Sequence, residues 1–108
     1  MGIEWAAGLF EGEGWTGNGG SKYVTKSGEV HRYPCKRCVV QSTDEDVIQT
    51  FSKILGVGKM RGPYGPRGRG KKPFWTWQAD GREAVIAITA LLPFMHGRRR
   101  EQMLKVLS

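Results

Sequence analysis

The chain opens on an apolar run, Ile3 to Phe10, that is compatible with a helix and leaves through Glu11-Gly12-Glu13-Gly14. Residues 15 to 41 then read as two strands. The first begins at Trp15 and passes through Gly17-Asn18-Gly19-Gly20, and the second runs from about Glu29 to Gln41. Lys26-Ser27-Gly28 between them is a hairpin signal. Thr43 ahead of Asp44-Glu45-Asp46 marks a helix start, a capping hydroxyl followed by acids that the helix dipole favours in the first turn. Val47, Ile48, Phe51, Ile54 and Leu55 recur at helical spacing until Gly56, which ends the helix. A second hairpin follows over residues 57 to 79: Val57 to Met60, a Gly/Pro/Arg-rich connection from Pro63 to Lys72, and a returning strand from Pro73 to Ala79. Asp80-Gly81 makes a turn into a helix over Ala84 to Leu92, stopped by Pro93, and a short helix from Arg98 to Leu107 closes the chain. The predicted order is α-β-β-α-β-β-α-α, an α+β chain with no internal repeat and no coiled coil.

At 108 residues there is room for a single domain, 1–108, and no second core. Hydrophobic residues make up 39%, and four Trp, four Phe and three Tyr can carry much of the burial, which a partner could complete. No apolar run approaches the roughly 18 residues of a membrane span, and no basic segment precedes an apolar stretch as in a secretory leader. The expectation is a soluble protein without a membrane partner, inside a microbial or phage-infected cell, in cytoplasm or nucleoid.

Charge narrows the class of partner. Lys and Arg number 17 against 10 acids, a formal net charge of +7. Each cation that neutralises a phosphate releases condensed counterions, so this excess favours a polyanion. The acids are not spread evenly. Glu4, Glu11 and Glu13 cluster near the start and Asp44, Glu45 and Asp46 in the middle. Metal binding beside phosphate is one reason for an acidic island in a basic protein. Cys35 and Cys38 form a lone C-x-x-C. Zinc would need two further ligands, and His31 and His96 stand in no zinc spacing. Residues three apart on a strand also point to opposite faces. Two reduced thiols are expected, one of them buried at least in part.

The end of the first helix carries the sharpest pattern. Gly8 and Gly12 are four apart, so they share one helix face and let a second backbone approach. Two copies packed there would bring both helix ends, with their carboxylates, to one point. The dipole disfavours carboxylates at a helix C-terminus, a cost that a divalent cation would offset, and hard oxygen ligands suit Mg²⁺.

Ala6-Ala7-Gly8-Leu9-Phe10-Glu11-Gly12-Glu13-Gly14 resembles the nine-residue LAGLIDADG signature position by position, with Glu at both acidic places. The resemblance to the homing-endonuclease family of that name extends along nearly the whole chain. Thr43 to Ile48 with Gly56-Val57-Gly58 looks like its second helix and exit. Trp75 to Ala79, Gly81 to Ala84, Leu91-Leu92-Pro93-Phe94 and Arg98-Arg99-Arg100 look like its last strand and closing helices. The fold implied is α-β-β-α-β-β-α with a curved antiparallel sheet as a saddle for double-stranded DNA. One motif in a chain of this length implies the homodimeric subclass, joined through the motif helix at Gly8 and Gly12.

The activity implied is cleavage of both DNA strands at a long pseudo-palindromic site, with Mg²⁺ or Mn²⁺ as cofactor. Glu13 matches the acid that binds the metal, the carbonyl of Gly12 is a usual second contact, and Glu11 matches an acid more often structural. Arg98, five residues after Pro93, falls where the family places a cation near the scissile phosphate. Arg can stabilise developing charge there but cannot transfer a proton. Gln41 falls near a polar residue that orients water, and a shift of one residue would put Val40 or Ser42 in its place. The two hairpins would supply the readout. If Trp75 and Trp77 face the helices, Phe74, Thr76 and Gln78 face DNA. Lys59 and Arg61 share a face, as do Arg37, Val39 and Gln41, and Arg is the preferred partner of guanine. Lys22, Lys36, Arg67, Arg69, Lys71 and Lys72 are expected on phosphates, which give affinity without sequence information. Arg98, Arg99 and Arg100 also read as a basic run or phosphate clamp.

Two other readings stay open. One is a DNA-binding regulator or splicing cofactor on the same fold that no longer cuts. The other is a small RNA-binding protein, which explains the charge but leaves the Gly8/Gly12/Glu13 pattern without a role.

Overall fold

The computed structural model describes residues 2–65 and 72–108. The elements run α1 (Ile3–Glu13), β1 (Gly14–Val24), β2 (Val30–Ser42), α2 (Glu45–Leu55), β3 (Lys59–Tyr64), β4 (Phe74–Asp80), α3 (Arg82–Leu91), a 3₁₀ turn (Leu92–Phe94) and α4 (Gly97–Leu107). The predicted α+β order stands.

Differences from the expected boundaries have local causes. Helix α1 continues past Phe10 to Glu13, carrying the whole acidic segment on the helix. Gly12 disfavours this by about 1 kcal/mol. Against it, Phe10 is fully buried, and the N–H of Gly14 closes the last turn on the carbonyl of Phe10. Helix α2 takes its cap at Asp44 and not Thr43, and no side chain caps it. The Ser42 hydroxyl instead accepts the N–H of Asp44 at 3.1 Å. Gly56 ends α2 in the left-handed region, φ 71°, as its position predicts. Strand β3 starts at Lys59, because Gly58 has φ 89° and the Val57 carbonyl is taken by a tryptophan. Pro93 does not cut α3 off sharply; the chain tightens into a 3₁₀ turn, which a proline near its start tolerates.

The sheet is antiparallel and open, in the order β1-β2-β4-β3. The turn between β1 and β2 is held by Thr25 and Glu29, whose backbone bond is 2.9 Å, with Gly28 at φ 85°. The glycines of β1 do not interrupt it. At Gly17 the Trp15 ring lies where a Cβ would sit, 2.6 Å from it.

Period-two alternation sorts the sheet into two faces. Cys38, Val40, Trp77 and Ala79 are buried beneath the helices, with Trp75 partly buried beside them. Trp77 anchors the core. Its ring meets Phe51 edge-on at 4.8 Å, Phe51 stacks on Phe10 at 6.3 Å, and its Nε1 donates to the Val57 carbonyl at 3.0 Å. Ile48, Ala84, Ala87, Ile88, Leu91 and Met103 join this buried cluster, with Ala6, Ala7, Met95 and Val106. Among the described residues, all helices thus serve one sheet face and leave the other uncovered. Cys38 is fully buried and Cys35 partly so, both as free thiols. Among the described residues no three His, Cys, Asp or Glu cluster as a metal site, and no helix is long and apolar enough to cross a membrane.

Candidate functional site

The two acids that end α1 diverge, because two residues turn about 200° around a helix. Glu11 turns toward α4. Its carboxylate lies 3.3 Å from Nδ1 of His96, and its carbonyl accepts Arg99 at 3.3 Å. The Arg99 guanidinium also sits 5.8 Å from the centre of the Phe10 ring. A cation on the final carbonyls suits the negative end of the helix dipole, so Arg99 braces α1.

Glu13 turns toward the sheet. Gly14 pairs with Val40 across β1 and β2, which brings the helix end beside the exit of β2. There Glu13, Gln41, Ser42, Thr43, Lys72 and Phe74 line an open cleft of about 390 Å³. Glu13 makes no hydrogen bond or ion pair among the described residues. Arg98 borders a different hollow, also about 390 Å³, with Glu11, His96, Arg99 and Gln102. Of the residues expected at the reaction centre, Glu13 and Gln41 therefore share a cleft and Arg98 does not join them. Among the described residues, the cation lining that cleft is Lys72, expected only as a backbone contact.

The Glu13 carboxylate, the Gln41 amide and the Ser42 and Thr43 hydroxyls that line the cleft are hard-oxygen donors of the kind that suits Mg²⁺ or Mn²⁺. Among the described residues, one chain brings a single carboxylate to this cleft.

The uncovered sheet face extends from the cleft. Strand register arranges it in rows: Gln41, Thr76 and Arg61; then Trp15, Val39, Gln78 and Lys59; then Gly17, Arg37 and Asp80. Successive rows are two residues apart, about 6.8 Å, which equals about two base-pair steps of DNA. The alternation assigned to Arg37, Val39 and Gln41, to Lys59 and Arg61, and to Phe74, Thr76 and Gln78 matches this arrangement. Arg37 is engaged within the face, donating from Nε to Asp80 at 2.6 Å, while Gln78 donates to the other Asp80 oxygen at 2.9 Å. Partial burial pushes the Asp80 carboxyl up, but the hydrogen bonds of Arg37 and Gln78 and the charges of Arg37 and Arg61 outweigh it and hold the group below its ordinary value. The same hydrogen bond and charge raise Arg37. Burial, with the Asp80 charge, pushes the Cys38 thiol up to about 12 on the opposite face.

Sequence alternation misses Trp15, which stands half exposed on this face beside Val39. Its place was readable from the β1–β2 pairing alone. Lys36 lies on the helix-side face, and its carbonyl accepts the Gly81 N–H at 2.7 Å. Arg98 and Arg100 are exposed on α4. Arg67, Arg69 and Lys71 lie outside the described residues, as do the side chains of Lys22 and His31. Gly8 and Gly12 are exposed, and a Cβ built on either meets nothing within 4 Å.

No protein-family model matches the sequence, and no curated protein sequence does. The fold, by contrast, matches solved homing endonucleases across almost the entire chain. The homing endonuclease I-CvuI, crystallised on DNA with Mg, superposes with a TM-score of 0.70 at 20% identity, over 97% of this chain and 62% of that one. The intron-encoded homing endonuclease I-CeuI, complexed with DNA, gives 0.67 at 15% identity, over 97% of this chain and 51% of that one. The LAGLIDADG meganuclease I-CpaMI, bound to uncleaved DNA, gives 0.61 at 14%, over 87% and 31%. This chain has the LAGLIDADG homing-endonuclease fold, and it spans about three-fifths of the length of I-CvuI.

Proposed function

We propose that the chain is one half-site subunit of a site-specific DNA endonuclease, working as a homodimer with Mg²⁺ or Mn²⁺. The observation that carries this reading is the cleft in which Glu13 meets Gln41 at the margin of an uncovered sheet face bearing Lys59 and Arg61. The face offers rows at about twice the base-pair spacing, and its arginine and amide side chains suit base edges in the major groove. The exposed backbone at Gly8 and Gly12 supports dimerisation, since nothing among the described residues occupies the space those glycines leave. Two copies joined there would bring together the two Glu13 carboxylates.

When bound, the divalent cation supplies charge stabilisation at a phosphate and a more acidic water. Glu13, the Gly12 carbonyl and Gln41 are the groups that would hold it and the water. Hydrolysis adds a water oxygen to phosphorus and breaks one P–O ester bond, leaving a phosphate monoester and an alcohol; the proton lost by water goes to the alkoxide or to solvent. Glu11, turned away toward α4, serves the scaffold.

The test is a cleavage screen of a randomised duplex library with Mg²⁺, repeated with Glu13→Gln. The wild type is expected to make staggered double-strand cuts at a long pseudo-palindromic site. The variant is expected to bind that site and not cut it. Cutting by the variant at the wild-type rate would remove Glu13 from the chemistry. Sequence-specific binding by the wild type without nicking in Mg²⁺ or Mn²⁺ would make the protein a binder only.

A further inference from the structure

Resting on that functional reading, we infer that Lys72 is a cation that holds the reacting phosphate. Three observations converge on it. Lys72 lines the same cleft as Glu13 and Gln41, whereas Arg98 and Arg99 line the hollow around Glu11. Arg99 is committed to the Glu11 carbonyl and the Phe10 ring. Lys72 is exposed and has no hydrogen bond or ion pair among the described residues, so its ammonium is free to meet an anion.

The chemistry of the cleft calls for such a group. A carboxylate alone repels a phosphodiester, and a cation in the same cleft makes the hollow attractive to one. Lysine suits the place as a compact point charge with three donors on a flexible stem, able to follow a phosphate oxygen as its charge grows. Its position in the chain also matters. Lys72 stands two residues before β4, whose Phe74 borders the cleft and whose Thr76 and Gln78 lie on the uncovered face. β4 and the residues that lead into it thus carry both a base-reading edge and the phosphate clamp, which ties the register of reading to the point of cutting.

The structure assigns Lys72 a positioning role that differs measurably from that of an ordinary backbone contact. Lys72→Met and Lys72→Arg would be compared with wild type in two assays on the selected duplex. The first is single-turnover cleavage at saturating protein in Mg²⁺, and the second is affinity in Ca²⁺ across a salt series. Loss of one charge-stabilising donor at a reaction centre typically slows the step about 10²–10³-fold. Lys72→Met is therefore expected to cut at least about 100-fold more slowly at saturation, with affinity weakened less than about tenfold and the salt slope lowered by about one. Lys72→Arg, which restores the charge, is expected to recover at least about tenfold of the rate. Weakened affinity with an unchanged saturated rate would overturn the assignment and make Lys72 a plain backbone contact. Arg98→Met slowing the saturated rate as much, with Lys72→Met silent, would overturn it in favour of α4. If the wild type binds and does not cut, the endonuclease reading fails by itself. The salt series then decides: a slope lowered by about one keeps Lys72 as a phosphate ligand, and an unchanged slope rejects it.

Discussion

The three glycines around the end of α1 should answer alanine substitution in opposite directions. Gly8 and Gly12 have ordinary helical backbones, absent from the positive-φ positions, and an added Cβ at either meets nothing within 4 Å. Alanine there lowers the entropy of the unfolded chain and is expected to stabilise the isolated chain by about 0.4–1 kcal/mol per site. The Gly8→Ala/Gly12→Ala double variant should gain about 1–2 kcal/mol, with each kcal/mol worth roughly 4–8 °C in Tm for a domain near this size. Gly14 is the reverse case. Its Cβ would lie 2.5 Å from the Phe10 carbonyl oxygen and 2.6 Å from the Phe10 ring. Neither neighbour can yield readily, since that carbonyl accepts the Gly14 N–H and the ring is fully buried against Phe51. Overpacking of this kind costs about 1–3 kcal/mol, and the rigidity of both neighbours puts Gly14→Ala toward the upper end. Urea unfolding at a protein concentration too low for dimers would read these monomer terms. Sedimentation at higher concentration would read association, where the two added methyl groups per copy should weaken the dimer at least about tenfold. Stability gained at low concentration with association lost is the expected signature. If Gly8→Ala and Gly12→Ala destabilise the monomer as Gly14→Ala does, the glycines serve the chain itself. If they leave association intact, the motif helix is not the dimer contact.

Two further outcomes follow from the ionisable groups. Cys38, buried and with its thiol pushed up to about 12, should resist iodoacetamide at pH 8 in the folded protein while the partly buried Cys35 reacts; mass spectrometry of the alkylated peptides checks this, and labelling of both at one rate would refute it. Asp80 is held below its ordinary value, so its contribution to stability is present above the unfolded carboxylate range and fades as pH falls below about 4 through the folded value. The Arg37–Asp80 pair is about two-fifths exposed, 38% and 43%, which limits its worth to a few tenths of a kcal/mol. Asp80→Asn should therefore be slightly less stable than wild type at pH 7, and the gap should close in acid melts; a gap that widens in acid would show the sign to be wrong.

The parts of this molecule that follow from periodicity were legible in the sequence. Helical spacing in Val47 to Leu55, alternation about Trp77 and a glycine stop at Gly56 each have a short-range cause, and each appears where it was expected. That Glu13 and Gln41 lie near one another was legible through the motif and the strand exit, and both line one cleft. What escaped depends on pairings between distant segments. Arg99 reads as one of three equivalent arginines until α4 folds against the end of α1 and engages the Glu11 carbonyl. Lys72 sits in a Gly/Pro/Arg-rich connection that has no period, so nothing local indicates that it borders the Glu13 cleft. Trp15 follows the same logic, since its facing is set by Val39 on the neighbouring strand. The continuation of α1 through Gly12 shows tertiary packing overriding a local propensity of about 1 kcal/mol.

The divergence of Glu11 and Glu13 has an evolutionary reading. Glu11 is held by α4 through His96 and Arg99, so changing it disturbs the scaffold. Glu13 touches no hydrogen-bonding partner among the described residues, so the fold is indifferent to its loss. If the proposed function holds, selection for folding and selection for chemistry act on separate codons within a single helical turn. A lineage released from the need to cut would then drift at position 13 while the scaffold persisted, and a protein that only binds would lie one substitution away.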